Sequence, residues 1–192
     1  MTTLLEPAAD TPPATATPRV LGLDLSITAP GICLPDGTTQ TIKTNPKDCD
    51  KRLNAIVSAI GLALGACDDY GYACDLVVIE EAPPGLKGPA IKAIHMVHGA
   101  VRLFLNDFDL PYIVINPTTL KRYATGKPGA DKTAMAMAAY KRANAEFADD
   151  NQCDAAWLRW AGLDLLGHAE LPMPADQRAA LNQIVMPKAV AP

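Results

Sequence analysis

Apolar and polar residues alternate near the start of the chain, and this alternation predicts the first strand. The alternating positions are Leu21, Gly22, Leu23, Asp24, Leu25 and Ser26. A strand with this period has one apolar face. Its other face carries Asp24, and a carboxylate inside a strand needs a cation, a hydrogen-bond partner or water, because a buried unpaired charge is costly. Asp24 is therefore either solvated on an edge strand or part of a site.

Turn residues divide the next part of the chain into short apolar runs. Residues 29–31 and 35–37 contain Pro and Gly and predict turns before two further strands, at residues 32–34 and 39–44. Three antiparallel strands in succession follow from this spacing. Residues 52–66 then carry apolar side chains at helical spacing.

The next strand is predicted by a continuous apolar run at residues 76–79, which ends in Glu80 and Glu81. Such a run is typical of a buried parallel strand, and functional groups collect at the carboxyl ends of parallel strands. Glu80 or Glu81 is thus a candidate for chemistry, the alternative being a polar strand end that meets solvent. A loop with Lys87 follows, then a helix at residues 90–106 and another buried strand at 111–115. Together the elements predict an α/β fold whose mixed five-stranded sheet, three antiparallel strands and then parallel strands, is flanked by helices.

A basic segment follows the last predicted strand. A short helix, with Thr118 or Thr119 as its expected cap, leads into four cations opposed by Asp131. The four cations are Lys121, Arg122, Lys127 and Lys132. Cations beside a sheet that bears carboxylates suit a phosphate backbone, although a solvated loop has the same composition. Residues 133–145 form the next predicted helix, in which Met135 and Met137 are interpreted as core residues.

The last long helix is predicted from residue 149 to about 166, and it places a third acid near the sheet. Asp149 and Asp150 are explained as caps at its N-terminus. Asp154 lies one turn further in, beside Ala155 and Ala156, whose small side chains permit close packing. Trp157 and Trp160 are expected to pack this helix.

The acids of these segments predict one oxygen-ligand site. It contains Asp24, Glu80 or Glu81, and Asp154, with or without Asp150. Carboxylates without His or Cys suit Mg²⁺ or Mn²⁺, and two such ions can activate water and stabilise the leaving oxygen in phosphodiester cleavage.

Composition restricts the class of protein. The chain has 192 residues, 49% of them hydrophobic, which suffices for one cored domain with tails, and residues 1–18 are expected to form a disordered arm. A net charge of −4 argues against non-specific coating of nucleic acid. Five cysteines without a Cys-x-x-Cys pair predict reduced thiols in a cytosol. No apolar run reaches the roughly 20 residues of a membrane span, so a soluble protein with no membrane association is expected.

Taken in order, these motifs resemble the RuvC family of Holliday-junction resolvases, and most closely its phage-encoded members. The resemblance rests on residues 21–26, 78–80 and 150–155 together with Lys121 and Lys132, and it covers residues 19–167. It implies a ribonuclease H-like nuclease domain at residues 19–168, a C-terminal tail at 169–192, and a homodimer that nicks four-way DNA junctions symmetrically. It also implies Glu80 rather than Glu81 as the functional acid, and a cytoplasmic location, in the host if the protein is phage-encoded.

Carried over residue by residue, the resemblance implies a metal-dependent, structure-selective DNA endonuclease. Asp24, Glu80 and Asp154 would bind two Mg²⁺ ions, for which Mn²⁺ can substitute, and Lys121 and Lys132 would contact the scissile phosphate. The family often has Asp or His where this chain has Asn151, so the fourth metal ligand is open between Asp150 and Asn151. Lys87, Arg122 and Lys127 join the two lysines as expected DNA contacts. Water would attack in line and leave a 3′-hydroxyl and a 5′-phosphate.

Two other classes of protein compete with this hypothesis. One is a non-catalytic scaffold of the same fold that binds branched DNA. Three acids kept together argue against it, because a site without function has no reason to retain unpaired charge. The other is a nucleotide-binding ATPase of the actin-like and sugar-kinase type, which opens with a similar hairpin. That fold repeats itself in two lobes, whereas this chain is short and shows no repeat.

Overall fold

A mixed sheet organises the computed structural model, which describes residues 17–65, 74–82 and 88–188. Its strands are β1 (Val20–Asp24), β2 (Gly31–Cys33), β3 (Thr39–Thr41), β4 (Leu76–Glu80) and β5 (Tyr112–Ile115). Their order across the sheet is β3-β2-β1-β4-β5. The first three strands are antiparallel, and β4 and β5 continue the sheet in parallel with β1. The predicted five-stranded arrangement is thereby confirmed over the described residues.

Six α-helices flank this sheet in the described part of the chain. They are α1 (Lys51–Gly65), α2 (Pro89–Asp107), α3 (Pro117–Thr125), α4 (Lys132–Ala143), α5 (Asp150–Leu165) and α6 (Ala175–Arg178). Short 3₁₀ turns lie at Pro46–Asp48 and Ala179–Gln183. The predicted cap of α3 was wrong: the side chain of Asn116, not a threonine, accepts a hydrogen bond from the Thr119 backbone N–H. β3 is also shorter than the sequence indicated.

One face of the sheet carries the leucines whose alternation predicted β1. Leu21 and Leu23 are fully buried on this face, as is Ile79 of β4. They belong to one apolar cluster with Ile56 and Ile60 of α1 and with residues of α2. Alternation along each strand therefore decides which side chains these two helices cover.

The opposite face of β1 is covered by α5, and the two backbones approach closely. A Cβ added at Gly22 would lie 2.0 Å from the Ala155 carbonyl oxygen. At Gly31 of β2, an added Cβ would lie 2.1 Å from the carbonyl oxygen of Asn151. The absence of side chains at these two glycines lets α5 lie directly on the strands, and this contact brings its first turns to the end of β1.

The C-terminal residues 169–188, predicted to be a tail, pack against the sheet domain. Leu171, Met173 and Leu181 are buried in the cluster that contains α5. Arg159 of α5, which is 5% exposed, donates to both carboxylate oxygens of Glu170 at 2.7 Å. Because Arg159 also donates to the Pro35 carbonyl, one guanidinium joins α5, the turn after β2 and the C-terminal segment.

Candidate metal centre

Three of the acids singled out in the sequence lie together at one edge of the sheet. Asp24 ends β1 and Glu80 ends β4, and these strands are parallel neighbours with Leu23 opposite Ile79. Asp154 reaches the same place from the second turn of α5. One carboxylate oxygen from each residue lies within 4.8 Å of the other two. The strand ends and the docked helix thus converge on a single point.

Burial and mutual repulsion make this cluster hold protons. Burial, followed by the negative charge of Asp154, raises the pKa of Asp24 well above its usual range. The pKa of Glu80 is raised by burial and then by Asp24 and Asp154, with which it forms one coupled group. Burial raises the pKa of Asp154 to about 6, against the opposing charges of Lys132 and Lys121. Three half-buried carboxyls without a cation cannot all ionise at low cost.

This electrostatic arrangement predicts how the metal-free protein responds to pH. The folded state raises the pKa of Asp154 and so favours its protonated form. The protonated carboxyl contributes fully to the free energy of unfolding below pH 4, and this contribution is lost as pH rises through about 6. The side chain that Asp154→Asn introduces is uncharged at every pH, so the variant does not lose this stability as pH rises. In chelator at pH 8, we expect the variant to melt about 3 °C higher than the wild type, and at pH 4 at the same temperature. Thermal unfolding by circular dichroism measures both values, and a variant that melts lower at pH 8 would contradict this account.

Two lysines act on the carboxylates from neighbouring helices. Lys132 is the first residue of α4 and forms an ion pair with Asp150. Its charge opposes the rise in pKa of Asp24 and Asp154, and Lys121 of α3 does the same for Glu80 and Asp154. The Lys132 side chain is 75% exposed, so its ammonium group remains accessible to an anion.

The other predicted site residues lie in different surroundings. Asp150 is paired with Lys132 outside the three-acid cluster, and Asn151 contacts β2 through its backbone. Glu81 is exposed beyond the end of β4. Arg122 is exposed and lines a cavity together with residues of the C-terminal segment, and Lys127 is exposed after α3. Lys87 lies outside the described residues.

A cavity beside the acid cluster escaped the sequence-based interpretation. It has a volume of about 580 Å³ and lies between α4 and the start of α5, with Asp154 in its wall. Met137, interpreted from the sequence as core, is 48% exposed and lines this cavity, whereas Met135 is buried as expected. The signal was present in α4: positions 133, 136, 137 and 140 share a helical face that is not the face of buried Met135 and Ala139.

Comparisons with known proteins agree with this architecture. No family model matches the chain. No curated protein matches it either. Among solved structures, the Thermus thermophilus RuvC in complex with a Holliday junction substrate aligns with a TM-score of 0.64 and 19% identity, over 80% of this chain and 98% of that chain. The chain has the RuvC fold.

Two further solved structures complete the comparison. Another Thermus thermophilus RuvC structure aligns with a TM-score of 0.63 and 18% identity, over 80% of this chain and 99% of that chain. A yeast mitochondrial Holliday junction resolvase aligns with a TM-score of 0.48 and 14% identity, over 89% of this chain and 83% of its own. The RuvC fold accounts for the mixed sheet and for the helix that crosses it. None of the helices in the described residues is long and apolar enough to cross a membrane.

Proposed function

We propose that this protein is a metal-dependent endonuclease that cuts branched DNA, with the four-way junction as its preferred substrate. The observation that carries the proposal is the set of three carboxylate oxygens, from Asp24, Glu80 and Asp154, within 4.8 Å of one another. Asp24 and Glu80 of this set end two parallel strands, where α/β proteins collect their functional groups, and Asp154 joins them from α5. The solved RuvC complex supplies the substrate class, because its ligand is a Holliday junction substrate.

The donor set fits Mg²⁺ or Mn²⁺. All three groups are carboxylates, which hard cations prefer, and burial raises the pKa of each of them, so a bound cation would favour their ionised form. Divalent ions bound there, two per site in our proposal, would supply a water of lowered pKa and would stabilise the oxygen that leaves the phosphorus. The fourth ligand would be Asp150, after its release from Lys132, or the side-chain carbonyl of Asn151.

The chain's own cations would hold the DNA. Lys132 and Lys121 act electrostatically on the carboxylates, so a phosphate bound at the cluster would meet their charges as well. Both lysines would neutralise the charge that develops on the scissile phosphate. Arg122, Lys127 and Lys87 would contact the backbone of the arms, so that these cations bind DNA although the net charge of the chain is −4. The cytoplasm is the compartment proposed for this activity.

The four-way junction has two equivalent strands to cut, so we also propose a homodimer formed through α1 and α2. Leu62 of α1 and Met96, Leu103 and Phe108 at α2 are large apolar side chains that are 44% to 74% exposed. Met96 and Leu103 are seven residues apart and so share one face of α2. Leu103→Asp is expected to halve the molar mass measured by light scattering. Val185→Asp, at a side chain that is 87% exposed in the C-terminal segment, is the matched control and should remain dimeric.

Cleavage of a labelled four-way junction tests the activity directly. We expect symmetric paired nicks in Mg²⁺ or Mn²⁺, no product in chelator, and little cleavage of linear duplex of the same sequence. Junction binding without cleavage in either metal would indicate a scaffold instead. Absence of junction binding would contradict the proposal entirely.

A further inference from the structure

The cavity between α4 and α5 has the shape and chemistry of a ligand pocket. Its volume of about 580 Å³ falls in the range of small-molecule sites. One wall is formed by the α4 face with Met137 and Tyr140, and another by Phe147 in the connection to α5. Small residues of α4, Thr133 and Ala136, leave the space between these walls open.

Packed aromatic rings support the wall that Phe147 forms. Phe147 packs against Trp160 with ring centroids 6.3 Å apart, and Trp160 in turn packs against buried Trp157 at 5.0 Å. Tyr140 is 49% exposed, although it lies beside a cavity that could have buried it. Two aromatic rings and a thioether, from Tyr140, Phe147 and Met137, line this one cavity and offer surfaces on which a flat apolar group can stack.

This cavity borders the metal centre. Asp154, Asp150 and Lys132 line the cavity and also belong to the acid cluster or to its ion pair. A phosphate placed at the cluster and Lys132 would therefore adjoin a cavity whose walls include aromatic residues. A nucleoside is attached to that phosphate on either side. The base of each nucleoside has a flat face that can stack on an aromatic ring.

We infer that this cavity is a nucleobase subsite, which holds an unpaired base of the nucleotide next to the scissile phosphate, stacked on Tyr140 beside Phe147. The inference rests on the proposed function, since the phosphate of the same strand places the base. A base paired inside a duplex must first be unpaired and unstacked, which costs free energy, whereas a base at a branch point is more easily unpaired, so the subsite favours branched over linear DNA.

An abasic substrate and a ring-deletion variant test the subsite together. Wild type, Tyr140→Ala and Tyr140→Phe are assayed in single turnover on junctions that carry either a normal or an abasic nucleotide, placed in turn on each side of the scissile phosphate. On one side, removing the base should slow the wild type about tenfold, and Tyr140→Ala should slow cleavage of the normal junction by a similar factor. The two changes combined should cost no more than either alone, because each removes the same stacking contact. Tyr140→Phe retains the ring and should recover most of the rate that Tyr140→Ala loses.

A binding readout separates this inference from the proposed function. With 2-aminopurine in place of the base and chelator present, the wild type should change its fluorescence and Tyr140→Ala should not. Ala136→Phe, which fills the cavity without removing an aromatic wall, should lose the same signal. Metal-dependent cutting of the junction would support the nuclease whatever the subsite does. The subsite is wrong if the rate effects of removing the base and of Tyr140→Ala multiply, or if removing the base has no effect on either side of the scissile phosphate. If no junction is cut in either metal, the proposed function fails, and the subsite fails with it.

Discussion

Asp24→Asn is expected to lower the rate of junction cleavage by about 10³-fold or more, with junction binding retained. Metal ions contribute several kcal/mol to stabilising the charge of a phosphodiester transition state. Losing about 4 kcal/mol of that stabilisation slows the reaction about 10³-fold. The substitution keeps the shape of the side chain and removes its charge, which leaves only Glu80 and Asp154 of the cluster to offset the two divalent ions proposed. The basic residues on α3 and α4 are unchanged, so DNA binding should persist.

The measurement compares single-turnover cleavage with junction affinity in the same buffer. Asp176→Asn, an identical change at an exposed position of α6, should cut like the wild type. The rise in melting temperature that Mn²⁺ produces in the wild type should be lost in Asp24→Asn and kept in the control, since a ligand stabilises only the fold that binds it. Wild-type cleavage by Asp24→Asn would show that the acid cluster is not the catalytic centre.

Gly22→Ala is expected to destabilise the fold by about 4 kcal/mol, among the largest effects of a single methyl group. The added Cβ would lie 2.0 Å from the Ala155 carbonyl oxygen and 2.8 Å from the Arg159 nitrogen. Both contacts are with the backbone of α5, which cannot rotate away as a side chain can. The helix would have to leave β1, taking Asp154 away from Asp24 and Glu80.

Urea unfolding of Gly22→Ala and of a second glycine variant measures this effect. Gly129→Ala is the matched control, because Gly129 is exposed in the turn between α3 and α4 and an added Cβ there meets nothing within 4 Å. The control should be as stable as the wild type or slightly more stable, because alanine has fewer conformations to lose on folding than glycine. A Gly22→Ala protein with the unfolding midpoint of the wild type would mean that α5 does not lie on β1 as described.

Local patterns were sufficient to predict most of the secondary structure. The alternating leucines of β1 and the apolar run of β4 each indicate a strand from a few neighbouring residues, and helical spacing located α1 and α2. The order of the motifs, together with the resemblance they supported, was enough to select the fold. Errors concern details of a few residues, such as Asn116 at the start of α3, where several polar neighbours could each have capped the helix.

Sequence by itself thus determined the elements and the acids available for chemistry, because periodicity and propensity act between residues near each other in the chain. Tertiary structure decided which of these acids meet. Glu80 rather than Glu81 joins Asp24, because α5 docks on the sheet face that carries Glu80, and the glycines of β1 and β2 allow it to approach. The pairing of Asp150 with Lys132, the exposure of Met137 and the packing of Leu181 likewise depend on how helices and the C-terminal segment dock. Docking joins residues far apart in the chain, and no local pattern encodes their distance.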